Sequence, residues 1–349
     1  MQKCEIEGMK RFPLLLLSVL CGLAAGCAHV SNSRADFLKL IDRPRVALQP
    51  QAEQLLATNG IVQFHFSFAA DSEQRVPGIL MESTNFHGHR PVVIALHGTG
   101  GSKANMLALC RKLADAGFIA VAIDGRYHGE RIKSGRDTAE YNDAIVRARR
   151  NPGEHPLYYD TVWDVMRLVD YLQARDDVDP ARIGLIGISK GGIETYLAAA
   201  ADERIAVAVP CIGVQSFHWA LENNDWQGRI GTIQTAFDAI AKGAGVASPD
   251  TKFVKKFYDR VVPGIDGEFD GPEMLTLIAP RPLLVINSDS DNHTPLPGVI
   301  ECTNTAQKVY RAAGTEDHFS VIIQKNTGHQ VRPESEHAAI EWFVKWLKP

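Results

Sequence analysis

The sequence predicts an α/β domain: a mostly parallel central sheet flanked by helices, with a helical cap inserted late in the chain. Three observations lead there. From about residue 91 onward, short and nearly all-apolar runs alternate with amphipathic stretches of helical spacing. The rhythm breaks between about residues 211 and 277, where helix-like segments are joined by loops rich in Gly, Asp and Pro. One apolar run passes into a helix through a tight Gly-rich turn that carries a serine, Gly187-Ile188-Ser189-Lys190-Gly191-Gly192.

Each element follows from its pattern. Pro91–Leu96, Phe118–Ile123, Arg182–Ile188, Ile205–Pro210, Pro282–Asn287 and Phe319–Gln324 are apolar runs that suit strands buried on both faces. Between them, Ser102–Gly117 has helical spacing through Met106, Leu109, Leu113 and Ala116, and closes on Gly117. Tyr158–Ala174 is amphipathic through Val162, Val165, Leu168 and Leu172, and Gly191–Ala201 and Glu334–Leu347 also read as helices. Strand–helix alternation of this kind implies right-handed parallel crossovers. Gly60–Glu82 alternates less cleanly and is expected to form antiparallel edge strands. Residues 31–54 are polar and contain Pro, a tether with a first helix. The insertion at 211–277 holds Trp219 and Trp226 and is expected to lie over the carboxyl end of the sheet.

The chemistry sits at the ends of the strands. Gly187–Gly191 fits G-x-S-x-G, and its context, strand before and helix after, puts Ser189 on a strained corner above a helix N-terminus. That is how a serine becomes an exposed nucleophile. His97-Gly98-Thr99-Gly100-Gly101, after the first parallel strand, is a turn whose backbone can approach an oxyanion. His97 itself is expected to pack under that turn. Asp289 and Asp291 follow the strand Pro282–Asn287, and either can orient an imidazole. His329, in Thr327-Gly328-His329, is the candidate general base, whereas His337 falls in the closing helix as a surface residue. The segment Asp124-Gly125-Arg126-Tyr127-His128-Gly129-Glu130-Arg131 has two readings. Arg126, His128 and Arg131 bind an anionic or sugar part of a substrate, or they form a salt-bridged turn. Trp219 and Trp226 line an acyl or sugar pocket, or they pack within the cap.

Taken together, H-G-x-G-G, G-x-S-x-G-G, D-x-x-x-P and a late G-H, in the order Ser, Asp, His, resemble the α/β-hydrolase superfamily over roughly residues 91–347. Within it the chain is similar to dienelactone-hydrolase and acetyl-xylan-esterase-like groups and to the catalytic domain of prolyl-oligopeptidase-type peptidases. It departs from dienelactone hydrolases, whose nucleophile is Cys. The resemblance favours Asp291 over Asp289 through its spacing to Pro295. It implies a Ser189–His329–Asp291 triad, an acyl-enzyme, and an oxyanion held by the backbone N–H groups of Lys190 and Thr99. No metal or organic cofactor is implied. The activity expected is carboxylic ester hydrolysis, with acetyl or other small acyl esters of carbohydrates as candidate substrates and a prolyl-oligopeptidase-type peptidase as the alternative.

Composition limits the rest. The chain has 349 residues, is 45% hydrophobic and 22% charged, and carries a formal net charge of -4. These values exclude a disordered or collagen-like chain and give no basic excess for nucleic acid. Lys10 and Arg11 precede the apolar run Phe12–Leu20, and Leu23-Ala24-Ala25-Gly26-Cys27 follows. This reads as an export signal over residues 1–26, with Met9 as the expected start. Ala24–Cys27 resembles a bacterial lipobox, so Cys27 is the expected lipid-anchored first residue of an exported envelope or periplasmic protein. The hydrolase domain is expected over residues 55–349. Cys110, Cys211 and Cys302 show no metal-ligand spacing and are expected to be buried apolar residues, although one disulfide is compatible with an oxidising compartment.

Overall fold

A computed structural model of the chain describes residues 34–55, 57–136, 138–151 and 153–348. The export signal and Cys27 lie outside the described residues.

The strands are β1 (Gln51–Gln54), β2 (Ile61–Ala69), β3 (Arg75–Ser83), β4 (Arg90–Leu96), β5 (Ile119–Ile123), β6 (Val178–Ile188), β7 (Ile205–Cys211), β8 (Leu283–Ser288) and β9 (Phe319–Gln324). They form one sheet in the order β1-β2-β3-β5-β4-β6-β7-β8-β9. The first three strands pair antiparallel, as does β3 with β5, and β5 through β9 are parallel. The expected antiparallel edge is therefore present. It is extended by β1, a fully exposed strand that its polar sequence does not announce.

The helices are α1 (residues 34–41), α2 (Leu107–Asp115), α3 (Thr138–Ala148), α4 (Tyr159–Gln173), α5 (Lys190–Ala201), α6 (Phe217–Glu222), α7 (Gln227–Gly231), α8 (Gln234–Gly243), α9 (Thr251–Val261), α10 (Gly271–Thr276), α11 (Leu296–Ala312) and α12 (Pro333–Leu347). Two of them, α3 and α11, were not anticipated from the sequence. α6 to α10 all lie between β7 and β8 and correspond to the expected cap.

Two cores sandwich the sheet, and strand alternation divides side chains between them. Val92, Ile94 and Leu96 of β4 join the core under α4, α5 and the cap. Val93 and Ala95 join the core under α2 and α12. All seven residues of β4 and all five of β5 are buried, which is why these runs carry no polar residue beyond the leading Arg90. α5 is buried along its whole length, and its Ala198–Ala201 run lets it pack closely behind the sheet. Cys110, Cys211 and Cys302 are free and buried, as expected. Among the described residues no helix is long and apolar enough to cross a membrane.

Candidate active site

The carboxyl ends of β4, β6, β8 and β9 converge on one edge, and each supplies a loop. At the end of β6 the chain turns into α5 through Ser189, which holds φ 58° and ψ −114°. A non-glycine residue there costs on the order of 1–3 kcal/mol, held by surrounding contacts. The Ser189 N–H donates to the Cys211 carbonyl at 2.9 Å and its carbonyl accepts from Ile193 N–H at 3.0 Å. The flanking glycines are required sterically. A Cβ at Gly187 would stand 2.1 Å from the Gly191 carbonyl oxygen, and one at Gly191 would stand 2.4 Å from that of Leu96.

Ser189 Oγ lies 2.7 Å from His329 Nε2. His329 Nδ1 lies 2.7 Å from Asp291 Oδ2. The carboxylate is fixed further by the His293 N–H at 2.8 Å and the Thr294 hydroxyl at 2.9 Å. Burial alone would raise the Asp291 pKa, but the bonds from His329, His293 and Thr294 outweigh it and hold the carboxyl below its ordinary range. Asp289 instead accepts from Ser290 and Thr327 in a loop and does not reach the imidazole. The structure thus brings Ser189, His329 and Asp291 into one hydrogen-bonded chain. A cavity of about 460 Å³ opens over it, lined by Gly98, Thr99, Ser189, Thr232, His293 and His329 among others.

The turn after β4 is pressed against Ser189: a Cβ at Gly98 would sit 3.4 Å from Ser189 Cβ. Among the described residues the backbone N–H groups of Thr99 and Lys190 have no acceptor. The Lys190 side chain turns away, buried against Glu194 Oε1 at 2.5 Å with Nζ 5.9 Å from the Tyr141 ring centroid. His97 packs under the turn. Its Nδ1–H donates to the Gly98 carbonyl at 2.7 Å, and its Nε2 accepts from Gly125 N–H at 3.0 Å. Burial, with Lys190 nearby, pushes its pKa down to about 4, so it is a neutral strut.

Other expected contacts are not made. Arg126 is buried and bound to Asp71 at 2.8 Å and Asp164 at 3.1 Å. Arg131 is bound to Asp164 at 2.6 Å. His128 is buried, its Nδ1 bonded to the Arg126 carbonyl at 2.7 Å, and its ring packs against Tyr141 with centroids 4.5 Å apart. Burial pushes its pKa down to about 2. The segment is the salt-bridged turn, and the reading of Arg126 and His128 as substrate-binding is corrected. Trp226 is corrected likewise. It is buried against Phe237, with Nε1 donating to Asn224 and Thr251. Trp219 is half-buried beside Gly298 and does not line the Ser189 cavity.

Sequence reading missed His293. Its ring stands edge-on to His329 with centroids 4.2 Å apart. Burial, then His329 and Arg229, push its pKa down to about 4. Asp291, His293 and His329 each offer a ligand atom within 4.8 Å of the others, a donor set that no sequence spacing suggested. Two of the three residues already commit atoms to the Ser189 chain, so a cation there would compete with it.

A family model described as acetyl xylan esterase (AXE1) matches residues 42–219, which include Thr99 and Ser189. The chain belongs to the acetyl xylan esterase (AXE1) family. A second model, glucuronyl esterase of fungi, matches residues 155–314, including Ser189 and Asp291. The Bacillus subtilis protein YtaP, named as a hydrolase, is 25% identical over 79% of this chain and 85% of its own length. A 4-O-methyl-glucuronoyl methylesterase of Neurospora crassa is 24% identical over 53% of this chain and 46% of its own, so the match spans about half of that protein. In fold, the chain resembles acetyl xylan esterase 1 from Thermoanaerobacterium sp. (TM-score 0.69, 16% identity, 91% of this chain and 93% of that one). It also resembles the acetyl xylan esterase from Paenibacillus sp. R4 (TM-score 0.62, 19% identity, 96% and 97%). The architecture is the α/β-hydrolase fold of these esterases, and this AXE1-family chain is a serine carboxylester hydrolase.

Proposed function

We propose that the chain hydrolyses small acyl esters of carbohydrates, acetyl esters first, through Ser189, His329 and Asp291. The unbroken run of two 2.7 Å contacts from Ser189 Oγ through the His329 ring to Asp291 carries this reading. His329 takes the Ser189 proton as Oγ attacks the ester carbonyl, and Asp291 holds the ring with Nδ1 protonated. The N–H groups of Thr99 and Lys190 bind the developing oxyanion; one such donor contributes about 10²–10³ in turnover. His329 then protonates the leaving alcohol, and water releases the acid from the acyl-enzyme. Methyl esters of sugar acids are a second candidate class, favoured by the glucuronyl esterase model over residues 155–314.

The test is a fluorophosphonate probe together with a panel of acetylated xylosides, uronic acid methyl esters and dipeptide amides. Wild type is expected to label and to turn over the sugar esters, and Ser189→Ala to do neither. Persistent labelling of Ser189→Ala, or cleavage of the amides alone, would overturn the reading. Export with lipid attachment at Cys27 belongs to the same proposal. Palmitate incorporation lost in Cys27→Ala is the expected result.

A further inference from the structure

Five arginines are buried among the described residues: Arg90, Arg126, Arg131, Arg167 and Arg229. The first four each have a carboxylate within salt-bridge distance, Glu82, Asp164, Asp164 and Asp170 respectively. Arg229, only 4% exposed, has none among the described residues, and its Nη2 has no hydrogen-bond partner among them. A buried cation without a counter-charge is strongly unfavourable unless something else answers it.

Its position tells what could. Arg229 lies in α7, the cap helix that meets the loop carrying Asp291. The approach is so close that a Cβ at Gly228 would fall 1.9 Å from the Asn292 carbonyl oxygen. One turn on, Thr232 lines the cavity over Ser189, with its hydroxyl donating to the Arg229 carbonyl at 2.8 Å. Gln215 is buried between cap and loop. With its amide oriented so that both ends are satisfied, it accepts from Arg229 Nε at 3.2 Å and donates to the His293 carbonyl at 2.7 Å. His293 lines the same cavity, and its Nδ1 is likewise a buried nitrogen without a partner among the described residues. Two polar groups with open valences thus sit on two elements tied by one amide, and one of them, His293, lines the cavity over Ser189.

We propose that Arg229 and His293 form a carboxylate-recognising subsite on the cap side of the Ser189 cavity, selecting esters of acidic sugars over neutral ones. A substrate carboxylate supplies the missing counter-charge through charge-assisted bonds to the guanidinium. The proposal rests on Ser189 as the reacting group, and the experiment separates the two.

Full-length protein carrying Ser189→Ala is titrated calorimetrically with D-glucuronate and with D-glucose. Glucuronate is expected to bind at least about ten-fold more tightly, the scale of one charge-assisted contact. The ratio should fall to about one when Arg229→Met is added and recover in part with Arg229→Lys. Arg229→Gln gives the same reading if the Met variant does not fold. In the wild type, glucuronate should inhibit p-nitrophenyl acetate hydrolysis competitively. Equal binding of the two sugars, a preference that survives loss of the arginine, or non-competitive inhibition each overturns the subsite. Turnover of p-nitrophenyl acetate that survives Ser189→Ala would instead overturn the nucleophile and leave the binding result to stand.

Discussion

Two charged loops leave the carboxyl ends of parallel strands in this sheet, and they have opposite fates. The loop after β5, Asp124–Arg131, closes on itself. Asp124 accepts from the Lys103 ammonium at 2.6 Å and the Glu130 N–H at 3.0 Å, and both arginines are bound to Asp164. The loop after β8 keeps its chemistry open. Asp291 spends one oxygen on the His293 N–H and the other on Thr294 and His329, which leaves His329 Nε2 for Ser189. What differs is the surroundings. The first loop faces Asp164 of α4 and Asp71 of the β2–β3 turn, which between them answer its arginines. The second faces the loop after β9, the Ser189 corner and a cavity. Charge at a strand's carboxyl end makes a site only where the neighbours leave a donor or acceptor unspent.

The comparison can be broken most directly at the open loop. His329→Ala is expected to lower kcat on p-nitrophenyl acetate by about 10⁵–10⁶-fold, with little change in melting temperature. A loss below about a hundred-fold would remove the imidazole from the reaction. Asp291→Asn should cost about 10⁴-fold in kcat, because the amide favours the wrong tautomer of His329.

At the closed loop the same kind of change should act on stability. Asp164→Asn leaves Arg126 and Arg131 buried with their shared counter-charge gone. Urea denaturation should show a loss of about 3–5 kcal/mol, while the folded fraction keeps its kcat. A large fall in kcat in the folded fraction would reopen a substrate role for Arg126. Trp226→Ala should cost about 3 kcal/mol through the cavity left beside Phe237, with KM unchanged for p-nitrophenyl acetate.

The smallest effect concerns acid. The Asp291 carboxyl titrates below its ordinary 3.8 in the folded chain. The stability this confers is complete above the unfolded pKa and is lost as pH falls through the folded one. The stability gap between wild type and Asp291→Asn should therefore be full at pH 7 and close below about pH 4. Urea midpoints at pH 7, 4 and 3 test the sign, and a gap that widens on acidification would refute it.

Most of the candidate site was legible because its parts announce themselves locally. Gly187 and Gly191 mark a corner that only glycine can flank, and the apolar runs mark strands buried on both faces. The residues alone left Asp289 and Asp291 as alternatives; the resemblance to the α/β-hydrolase pattern, through the spacing to Pro295, favoured Asp291. What escaped was what depends on partners distant in sequence. β1 is polar and exposed, so no periodicity marks it. α11 follows a Pro-containing start, Pro295-Leu296-Pro297, that reads as a loop until the helix is seen. In sequence His293 is one polar loop residue among several, and only the fold sets its ring 4.2 Å from that of His329.

By itself, the sequence determined the alternation of strand and helix, the strained serine corner and the order in which serine, acid and imidazole arrive. These rest on backbone sterics and on periodicities of a few residues. Only the tertiary structure decided which charges are spent and which stay available. Arg126 and Arg229 are both arginines in polar stretches of sequence, yet one meets two carboxylates and the other meets none among the described residues. The reason is physical: a charge's fate depends on what lies within a few ångströms of it in space, and those neighbours come from residues far away along the chain.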